Sequence, residues 1–464
     1  MLRWWVDPVL GSNSARAGAA LQQLLELGGW QSRAVLDSAD ADLQYGPSVS
    51  GSNAIPFAGS EAWAAIETQT SVFRDGYWFP KASCIDGAGG PSLVDPVLAG
   101  YFFLSGRVDH DAHQKAYAGI PEQASIAEWH LHESPAVHRL VGLVAALVPP
   151  GHAPQPRWPR GKQWAMCLSH DCDRLRRYRT RGFWRDTYRR GANSAERVSS
   201  AAKALYSMMR LPGGTDPYEA STIAWLKFEQ VMGVRGVYFV GTWSRSDFPS
   251  ESYDLTYARS DPETLRLVSA CKSYGAEMGL HSGIGAWRSP ARFAEEVRRF
   301  RESYGIAPAG FRGHYWSLNP ENPEESLAIA AEHGALKYDS SFGMNLAYGF
   351  RRGTCYPFRP FDAVTGRYSG LWELPPSVMD GGLYASAGTN EERVANFAAL
   401  AASVQSAGGV LVLDWHSDSL WSGFMDNMTQ ALLPELTRLI DDSTCWVACA
   451  SELIDWCSTA RWTA

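Results

Sequence analysis

Several features are missing from this sequence of 464 residues, and each absence excludes a class of protein. Its eight cysteines are scattered, with no close CxxC pair and no zinc-finger spacing, which favours free thiols in a reducing compartment. No stretch approaches the roughly 20 consecutive apolar residues that a membrane-spanning helix needs. The first residues lack the basic segment, apolar run and cleavage site of a secretory signal. Together these absences predict a soluble cytoplasmic protein.

The sequence also lacks an excess of positive charge. Its formal net charge is −7, whereas a general nucleic-acid binder needs a broad basic face to displace the counterions of the phosphates. We therefore expect no nucleic-acid partner. The 45% of hydrophobic and 20% of charged residues are ordinary for a globular protein, and the length predicts two or three domains.

A proline-rich stretch divides the sequence near residue 150. Five prolines occur between positions 148 and 159, and proline both stiffens the chain and interrupts regular structure. We predict a smaller N-terminal α/β domain over residues 1–147, a linker over 148–162 and a larger domain over 163–464. The first domain contains several histidines without ordered carboxylates, which we interpret as ordinary surface or core residues: 110, 113, 130, 132 and 138.

Strand-like and helix-like segments alternate after the linker, which predicts repeated βα units and a parallel sheet, open or closed into a barrel. The predicted strands cover residues 164–169, 236–241, 276–281, 308–312, 409–415 and 445–449. The predicted helices cover residues 219–232, 262–274, 290–303, 323–333, 391–406, 428–440 and 450–457. Several helices should end at a glycine in the left-handed C-cap conformation, namely Gly233, Gly275, Gly305, Gly334 and Gly408.

The most informative stretch covers residues 164–173, where an apolar strand ends in His-Asp-Cys-Asp. Side chains alternate along a strand, so Asp171 and Asp173 should point the same way. Two carboxylates so close together repel each other unless a cation lies between them. Carboxylate oxygen and imidazole nitrogen suit Zn²⁺ or a similar divalent ion, which in catalytic sites keeps one position open for water. The stretch therefore predicts a metal centre.

Three other predicted strands also end in polar residues, within positions 279–282, 311–316 and 411–416. In βα barrels the chemistry takes place at the C-terminal ends of the strands. A buried polar residue at every strand end is costly unless these residues meet around something. His281, Arg312, His314 and His416 are therefore candidates for the same site, although each histidine alone could equally be a hydrogen-bonded core residue.

Residues from about 162 to 460 resemble the polysaccharide deacetylase family, also called the NodB-homology family or carbohydrate esterase family four. Residues 169–173, Ser-His-Asp-Cys-Asp, are similar to the His-Asp-x-Asp variant of its first motif. The resemblance implies an α/β fold, a distorted (β/α) barrel of the polysaccharide deacetylase type. It also implies that Asp171 is the general base and Asp173 a metal ligand.

The second motif of that family, which carries two histidines, is matched only at its first, His281, because Gly285 stands in the place of the second. The third ligand could be His314, His170 or water. We favour His314, since strand alternation points His170 away from the two aspartates.

Residues 312–315 resemble the third family motif, Arg-x-Pro-Tyr, with His314 in place of the proline. The resemblance implies that Arg312 holds Asp171 and that the backbone N–H of Tyr315 contributes to the oxyanion hole. His416 is similar to the histidine of the last motif, the general acid. We predict that the substrate contacts the neighbouring aromatic residues, which are Tyr315, Trp316 and Trp415.

Residues 338–343, 349–358 and 373–375 further resemble a bacterial subgroup of these deacetylases, which carries an extra N-terminal region and is often associated with surface-polysaccharide synthesis. Residues 1–150 are similar to that region. Asp339 and Asp414 could orient the ligands, as residues behind a metal site often do, or could be structural.

These residues predict a metal-dependent hydrolase that removes an N-acetyl group from an amino sugar of a glycan or sugar-linked precursor. A bound Zn²⁺ would activate water and polarise the acetyl carbonyl, Asp171 would take the proton of the water, and His416 would protonate the departing amine. Two alternatives stay open. One is hydrolysis of a non-sugar amide or cyclic imide on the same fold, and the other is a carbohydrate-binding protein that has lost its metal.

A basic segment starts at Arg174 and ends at Arg210. It carries ten arginines and one lysine against Asp186 and Glu196. The segment could be a solvated basic face. It could instead bind an anion beside the metal, such as the phosphate of a nucleotide- or lipid-linked sugar, or make peripheral contact with an anionic membrane.

Overall fold

The computed structural model describes most of the chain. The exceptions are residues 67–68, 75–76, 86–92, 178–215, 244–253, 256, 422–423, 460–464 and, between 111 and 133, all but 112, 115, 120, 121, 129 and 131. His113, His130, His132 and the basic segment beyond Arg177 therefore lie outside the described residues.

The N-terminal part contains a small parallel sheet in which β1 lies between β2 and β3. Helix α1 buries a row of leucines, and Gly100 of α3 lets the two helices approach closely, since a Cβ there would lie 3.1 Å from Leu24. The elements are β1 (Leu2–Val6), α1 (Asn13–Leu27), β2 (Ser32–Ala34), β3 (Leu43–Tyr45), α2 (Ser60–Ala64), β4 (Ser71–Arg74), β5 (Tyr77–Pro80), β6 (Cys84–Ile85), β7 (Leu93–Val94), α3 (Pro96–Leu104) and α4 (Ala136–Ala145).

The larger part is built on a nine-stranded sheet whose strand pairs are all parallel. Its strands are β8 (Trp164–Asp171), β9 (Val237–Val240), β10 (Glu277–Ser282), β11 (Gly310–Gly313), β12 (Tyr338–Asp339), β15 (Trp372–Glu373), β16 (Val378–Met379), β17 (Val410–Asp414) and β18 (Cys445–Val447), with a separate hairpin of β13 (Phe361–Asp362) and β14 (Arg367–Tyr368). The order is β15-β12-β11-β10-β9-β8-β17-β16, and β18 pairs with the start of β8.

The sheet is so strongly curled that its two edge strands are joined by one short connection. The edge strands β15 and β16 are consecutive in sequence and are joined by residues 374–377, Leu-Pro-Pro-Ser. Four residues can span at most about 14 Å. The predicted α/β class and parallel sheet are therefore confirmed, and the sheet is a curled half-barrel with a seam at these four residues.

Several of the helices that follow the strands begin at a proline, which is a residue that favours the first helical position. Helices α5 to α8 each have a proline at the first helical position after an Asp, Ser or Asn residue, a combination that fixes φ and supplies an N-cap. The helices of this part are α5 (Pro217–Val231), α6 (Pro262–Tyr274), α7 (Pro290–Tyr304), α8 (Pro323–Gly334), α9 (Asp380–Ala385), α10 (Asn390–Ala407), α11 (Met428–Ile440) and α12 (Ala450–Ser458).

Every strand and helix predicted after the linker is present, with each boundary within two residues of its predicted position. Gly275, Gly305 and Gly408 are left-handed C-caps as predicted. The prediction for Gly334 is wrong, because this glycine ends α8 and Ala335 takes the left-handed conformation instead. Gly334 is small for packing, since a Cβ there would lie 2.8 Å from Leu336 Cγ.

Residues 1–147 share one hydrophobic core with the sheet-bearing part. Buried side chains of α1, α3 and α4 belong to the same cluster as those of the large sheet. Backbone hydrogen bonds join Val137 N–H to the carbonyl of Gly353 and Phe350 N–H to the carbonyl of Leu131, at 2.9 and 2.8 Å. The division into an N-terminal domain, a linker and a larger domain stays a prediction.

The sequence predicted free cysteines and no membrane-spanning helix. All eight cysteines lie in the described part of the chain, and all are free thiols. Among the described helices, none combines the length and apolarity needed to cross a bilayer.

Candidate metal centre and catalytic cleft

The C-terminal ends of β8, β11 and β17 meet at an open cleft with a volume of about 220 Å³. Asp171, Asp173, His314 and His416, all predicted from the sequence, line this cleft. The strand order explains the convergence, because β17, β8, β9, β10 and β11 are neighbours in one parallel sheet and therefore end at the same edge.

Asp173, His281 and His314 form the group that could hold a metal ion. One potential ligand atom from each lies within 4.8 Å of the other two. His281 Nε2 is 3.0 Å from Asp173 Oδ1, and His314 Nε2 is 3.5 Å from Asp173 Oδ2. Two imidazole nitrogens and a carboxylate are a donor set that catalytic zinc sites use, with a fourth position left for water.

The second ring nitrogen of each histidine is engaged behind the site. His281 Nδ1 donates to the carbonyl of Arg312 at 3.0 Å, and His314 Nδ1 donates to Asp254 Oδ1 at 3.1 Å. Asp254 also accepts the backbone N–H groups of Leu255 and Ile284. Metal-bound histidines almost always donate their other N–H to a carbonyl or carboxylate. The residues present therefore fit a divalent ion.

The charges around Asp173 are consistent with a site for a cation. Burial alone would raise the pKa of Asp173, but the nearby His314 and His416 and a hydrogen bond from His281 hold it well below its usual value. Burial opposes the proton on His314, yet Asp173 and Asp254 raise the pKa of His314 to about 9. Asp173 is thus a carboxylate that gathers positive charge, which a bound metal can supply in place of protons.

Arg312 holds Asp171, the predicted base. Its buried guanidinium donates from Nη1 to Asp171 Oδ1 at 2.8 Å and to Asp414 Oδ1 at 2.9 Å. Nη2 donates to the hydroxyls of Ser169 and Ser340, and Nε donates to the Ser340 carbonyl, each at 2.9 Å. Burial would raise the pKa of Asp171, but Arg312 and His281 keep it below its usual value. Asp171 is therefore an ionised carboxylate in a fixed position.

His416 is positioned by Asp380, a residue that the sequence reasoning missed. Both the Nδ1 and the backbone N–H of His416 donate to the Asp380 carboxylate, at 2.8 and 2.9 Å. His416 Nε2 is 3.2 Å from Asp173 Oδ2. Burial opposes a charged ring, but Asp380 and Asp173 raise the pKa of His416 well above its usual value. Asp380 begins α9 directly after the two-residue strand β16, and no motif in the sequence marks it.

His170, the alternative third ligand, faces away from the cleft. Its Nε2 lies 2.8 Å from Glu229 Oε1, and its Nδ1 donates to the Trp415 carbonyl at 3.1 Å. The ring lies against Tyr238, with centroids 4.7 Å apart. The side chain of His170 thus points to the opposite face of β8 from Asp171, as strand alternation predicts.

The three aromatic residues that were predicted to contact the substrate differ in their exposure and in whether they line the cleft. Trp415 is buried against Phe397, at 5.9 Å between ring centroids, and does not line the cleft. This differs from the prediction, because alternation sends Trp415 to the face opposite its neighbours Asp414 and His416. Trp316 lines the cleft but is almost fully buried, whereas Tyr315 lines it with 43% of its surface exposed.

The backbone is strained where these two aromatic residues meet the cleft. Tyr315 and Trp316 have φ values of 56° and 59°, in the left-handed region that residues with a Cβ rarely adopt. The turn follows His314 directly and leaves the Tyr315 ring 4.4 Å from the His314 ring. Such strain persists only where the surrounding structure enforces it, and it is concentrated at functional sites.

Asp414 and Asp339 both lie behind the cleft. Burial and the charge of Asp171 raise the pKa of Asp414 well above its usual value, and the adjacent Arg312 opposes this shift. Asp339 accepts the Ser341 hydroxyl at 2.5 Å. Ser341 in turn accepts the Gly313 N–H, so Asp339 shapes the loop beside Arg312 without touching the ligand group.

Comparison with known proteins finds only distant structural similarity. No family model and no curated protein matches the chain. The chain is similar to the solved structure of a probable polysaccharide deacetylase from Pseudomonas aeruginosa PAO1, at 13% identity and a TM-score of 0.43, over 67% of this chain and 96% of that one. It is also similar to the Puue allantoinase, at 13% identity and a TM-score of 0.41, over 68% and 96% of the two chains. A candidate polysaccharide deacetylase from Mycobacterium smegmatis gives 17% identity and a TM-score of 0.40, over 64% and 91%.

Proposed function

We propose that the protein is a metal-dependent hydrolase that removes an N-acetyl or similar acyl group from an amino sugar in a polysaccharide or glycan precursor. One observation carries the proposal. The ligand group of Asp173, His281 and His314 lies beside the Asp171 carboxylate, which Arg312 holds, and the His416 imidazole, which Asp380 holds. This arrangement offers a cation site, a base and an acid in one cleft.

In this proposal Asp173, His281 and His314 hold the ion, for which Zn²⁺ is the simplest choice. When bound, such an ion lowers the pKa of its water and polarises a carbonyl oxygen. Asp171 is positioned to take a proton, because Arg312 binds its Oδ1 while its Oδ2 lies 3.7 Å from His281 Nε2, on the side of the ligand group. Arg312 thereby fixes which carboxylate oxygen is available.

His416 is the proton donor. Asp380 engages its Nδ1, so its Nε2 is the nitrogen that faces Asp173 and the cleft. The Nε2 proton passes to the amine nitrogen as the amide C–N bond breaks. The water contributes its oxygen to the acyl carbon, so that the products are acetate and a free amino sugar. The Tyr315 backbone N–H donates to the oxyanion, and the exposed Tyr315 ring forms an apolar wall for the sugar.

The complete catalytic set argues against a binding protein that has lost its activity. Such a protein has no need of a buried arginine on Asp171 or of a buried aspartate on His416, because burying charges is costly. The same residues would serve hydrolysis of a non-sugar amide or cyclic imide, so the substrate panel below includes one of each.

Metal content tests the proposal first. We expect about one zinc-like ion per chain by elemental mass spectrometry, and its loss in Asp173→Ala, His281→Ala and His314→Ala. His170→Gln is the matched control, because it alters a buried strand-end histidine that faces away from the cleft. It should keep the ion, provided that circular dichroism shows a folded protein.

Acetate release is then measured with N-acetylated amino sugars, acetamide and a cyclic imide. Parent protein should act on a sugar, while Asp171→Asn and His416→Ala should lose at least about 100-fold in rate, as expected when an acid or base is removed. Absence of metal after reconstitution, or equal retention in all three ligand variants, would refute the metal site. Retention in His314→Ala alone would replace the third ligand by water.

A further inference from the structure

Arg174 places a cation on the wall of the cleft, next to the ligand Asp173. It is the one arginine or lysine among the described residues that line the cleft. Its side chain is 47% exposed, whereas that of Asp173 is 18% exposed and that of His416 is 16% exposed. Asp254 and Asp380 lie behind the histidines that they hold and are fully buried. Among the described charged residues that line this cleft, the most exposed is therefore a guanidinium.

A buried carboxylate fixes Arg174 from behind. Its Nη2 lies 3.2 Å from Asp418 Oδ2, and the Asp418 side chain is only 3% exposed. The guanidinium also lies over the Tyr218 ring, at 5.7 Å from the ring centroid. A guanidinium has five N–H groups in a rigid fork, and among the described residues Asp418 is the carboxylate that pairs with it, through Nη2.

The arginines that follow in sequence differ in their surroundings. Arg176 pairs with Glu263 and lies 3.8 Å from Asp261, so its charge is neutralised outside the cleft. Arg177 stacks on Trp421, with its Cζ 3.6 Å from the ring centroid, and its Nη1 donates to the Tyr218 hydroxyl. Arg174 and Arg177 thus flank the same ring, but of the two only Arg174 is among the described residues that line the cleft.

We propose that Arg174 binds an anionic group of the substrate, a phosphate or a carboxylate carried by the acylated sugar. The inference rests on the proposed function and deepens it, because it selects charged sugars over neutral ones. A neutral sugar gives no reason to expose a guanidinium on the cleft wall, whereas the planar fork matches phosphate and carboxylate oxygens in a bidentate manner. Asp418 is a positioning residue that aims the fork.

Binding of three probes to zinc-loaded protein tests this proposal: N-acetylglucosamine, N-acetylglucosamine 1-phosphate and N-acetylmuramic acid. The background is Asp171→Asn, so that the sugars are not consumed, at about 50 mM salt to limit screening. We expect one of the two charged probes to bind roughly tenfold or more tightly than the neutral sugar, as for a charge-assisted hydrogen bond. The preferred probe identifies the anion as phosphate or carboxylate.

Arg174→Gln should abolish that preference and leave the affinity for the neutral sugar and the zinc content unchanged. Arg176→Gln is the matched control in the same segment and should keep the preference. Three results would overturn the proposal: no preference in the parent, a preference that survives Arg174→Gln, or an equal loss in Arg176→Gln. Each is distinct from failure of the proposed function, which shows as missing zinc or missing acetate release.

Discussion

Two regions of the molecule contain fully buried arginines: Arg312 at the cleft, and the neighbouring pair Arg351 and Arg352 beside the N-terminal part. The two regions differ in the ratio of arginines to the carboxylates that they bind. Arg312 alone serves two carboxylates, those of Asp171 and Asp414. Arg351 and Arg352 both donate to the same oxygen, Asp109 Oδ2, at 2.8 and 3.2 Å. In the first region one cation is shared by two acids. In the second, two cations share one acid, and Arg352 has Glu324 as a further partner.

The difference follows from what each carboxylate does. At the cleft, Arg312 binds one oxygen of Asp171 and leaves the other on the side of the ligand group. At the junction, Asp109 of the N-terminal part is bound by two arginines of the larger part, and Arg351 also donates to the Gly343 carbonyl at 3.0 Å. Buried charge is costly in both places. It positions a reactive group in the first region and aligns two segments of chain in the second.

The largest effect is expected for Arg312→Met. It leaves Asp171 and Asp414 buried without their cation, which should cost about 5 kcal/mol of unfolding free energy, the upper end for a broken buried pair. Acetate release should also vanish. Urea unfolding measures the stability, with Arg438→Met as the control for an exposed arginine that pairs with Glu435. The control should change stability by less than about 0.5 kcal/mol. Similar losses in both variants would contradict the contrast between buried and exposed arginines.

Asp109→Asn should have the next largest effect, about 3 kcal/mol of unfolding free energy, because two buried arginines lose their shared anion. Arg352 keeps Glu324, at 2.9 Å, which limits the loss. Zinc content and the rate of acetate release, measured at a temperature where the variant is folded, should match the parent. The contrary result is informative, since Arg351 also contacts the Ser341 carbonyl beside the loop that holds Arg312. A fall in rate in a folded variant would mean that the junction also positions the cleft.

Glu296 offers a test at a single pH-sensitive group, because it is a buried carboxyl group whose arginine is poorly placed. Arg292 Nε lies 3.4 Å away, and Oε2 accepts the Gly283 N–H. Burial, assisted by the charge of Asp254 and opposed by Arg292, raises the pKa of Glu296 to about 8. The folded state thus binds this proton more tightly than the unfolded state. Its stabilisation is complete below about pH 4 and is lost as the pH rises through 8.

We therefore expect Glu296 to remove up to about 1.4 kcal/mol of unfolding free energy per pH unit between about pH 5 and 8. In Glu296→Gln this part of the pH dependence should disappear when urea unfolding is repeated at several pH values. An unchanged slope would show that Glu296 is ionised in the folded protein, and that Arg292 is a better partner than its distance indicates.

The sequence predicted those parts of the fold in which many residues repeat one pattern. The long strand β8 and the helices α6 and α11 were located to within two residues. Strands β12, β15 and β16 were not predicted, because two residues carry no measurable periodicity. These short strands complete the curl of the sheet, so the barrel-like shape came from the family resemblance rather than from periodicity.

The candidate site divides in the same way. The sequence singles out six candidates because each lies at the C-terminal end of a strand of one parallel sheet or within two residues of it: Asp171, Asp173, His281, Arg312, His314 and His416. Asp254 and Asp380 were missed, since they come from irregular or newly started segments and reach His314 and His416 only through tertiary packing. Trp415 was predicted by its adjacency to His416, although the alternation already used for His170 would have placed it in the core.

The seam at residues 374–377 has a consequence for how the molecule behaves in a crowded solution. An open parallel sheet offers unpaired N–H and C=O groups at each edge, where strands of other molecules can add and begin aggregation. Here each edge strand is only two residues long, and Pro375 and Pro376 between them have no N–H to donate. The short edge strands and the two prolines therefore disfavour intermolecular β-pairing, and Glu373 of β15 already exchanges two backbone hydrogen bonds with Phe358.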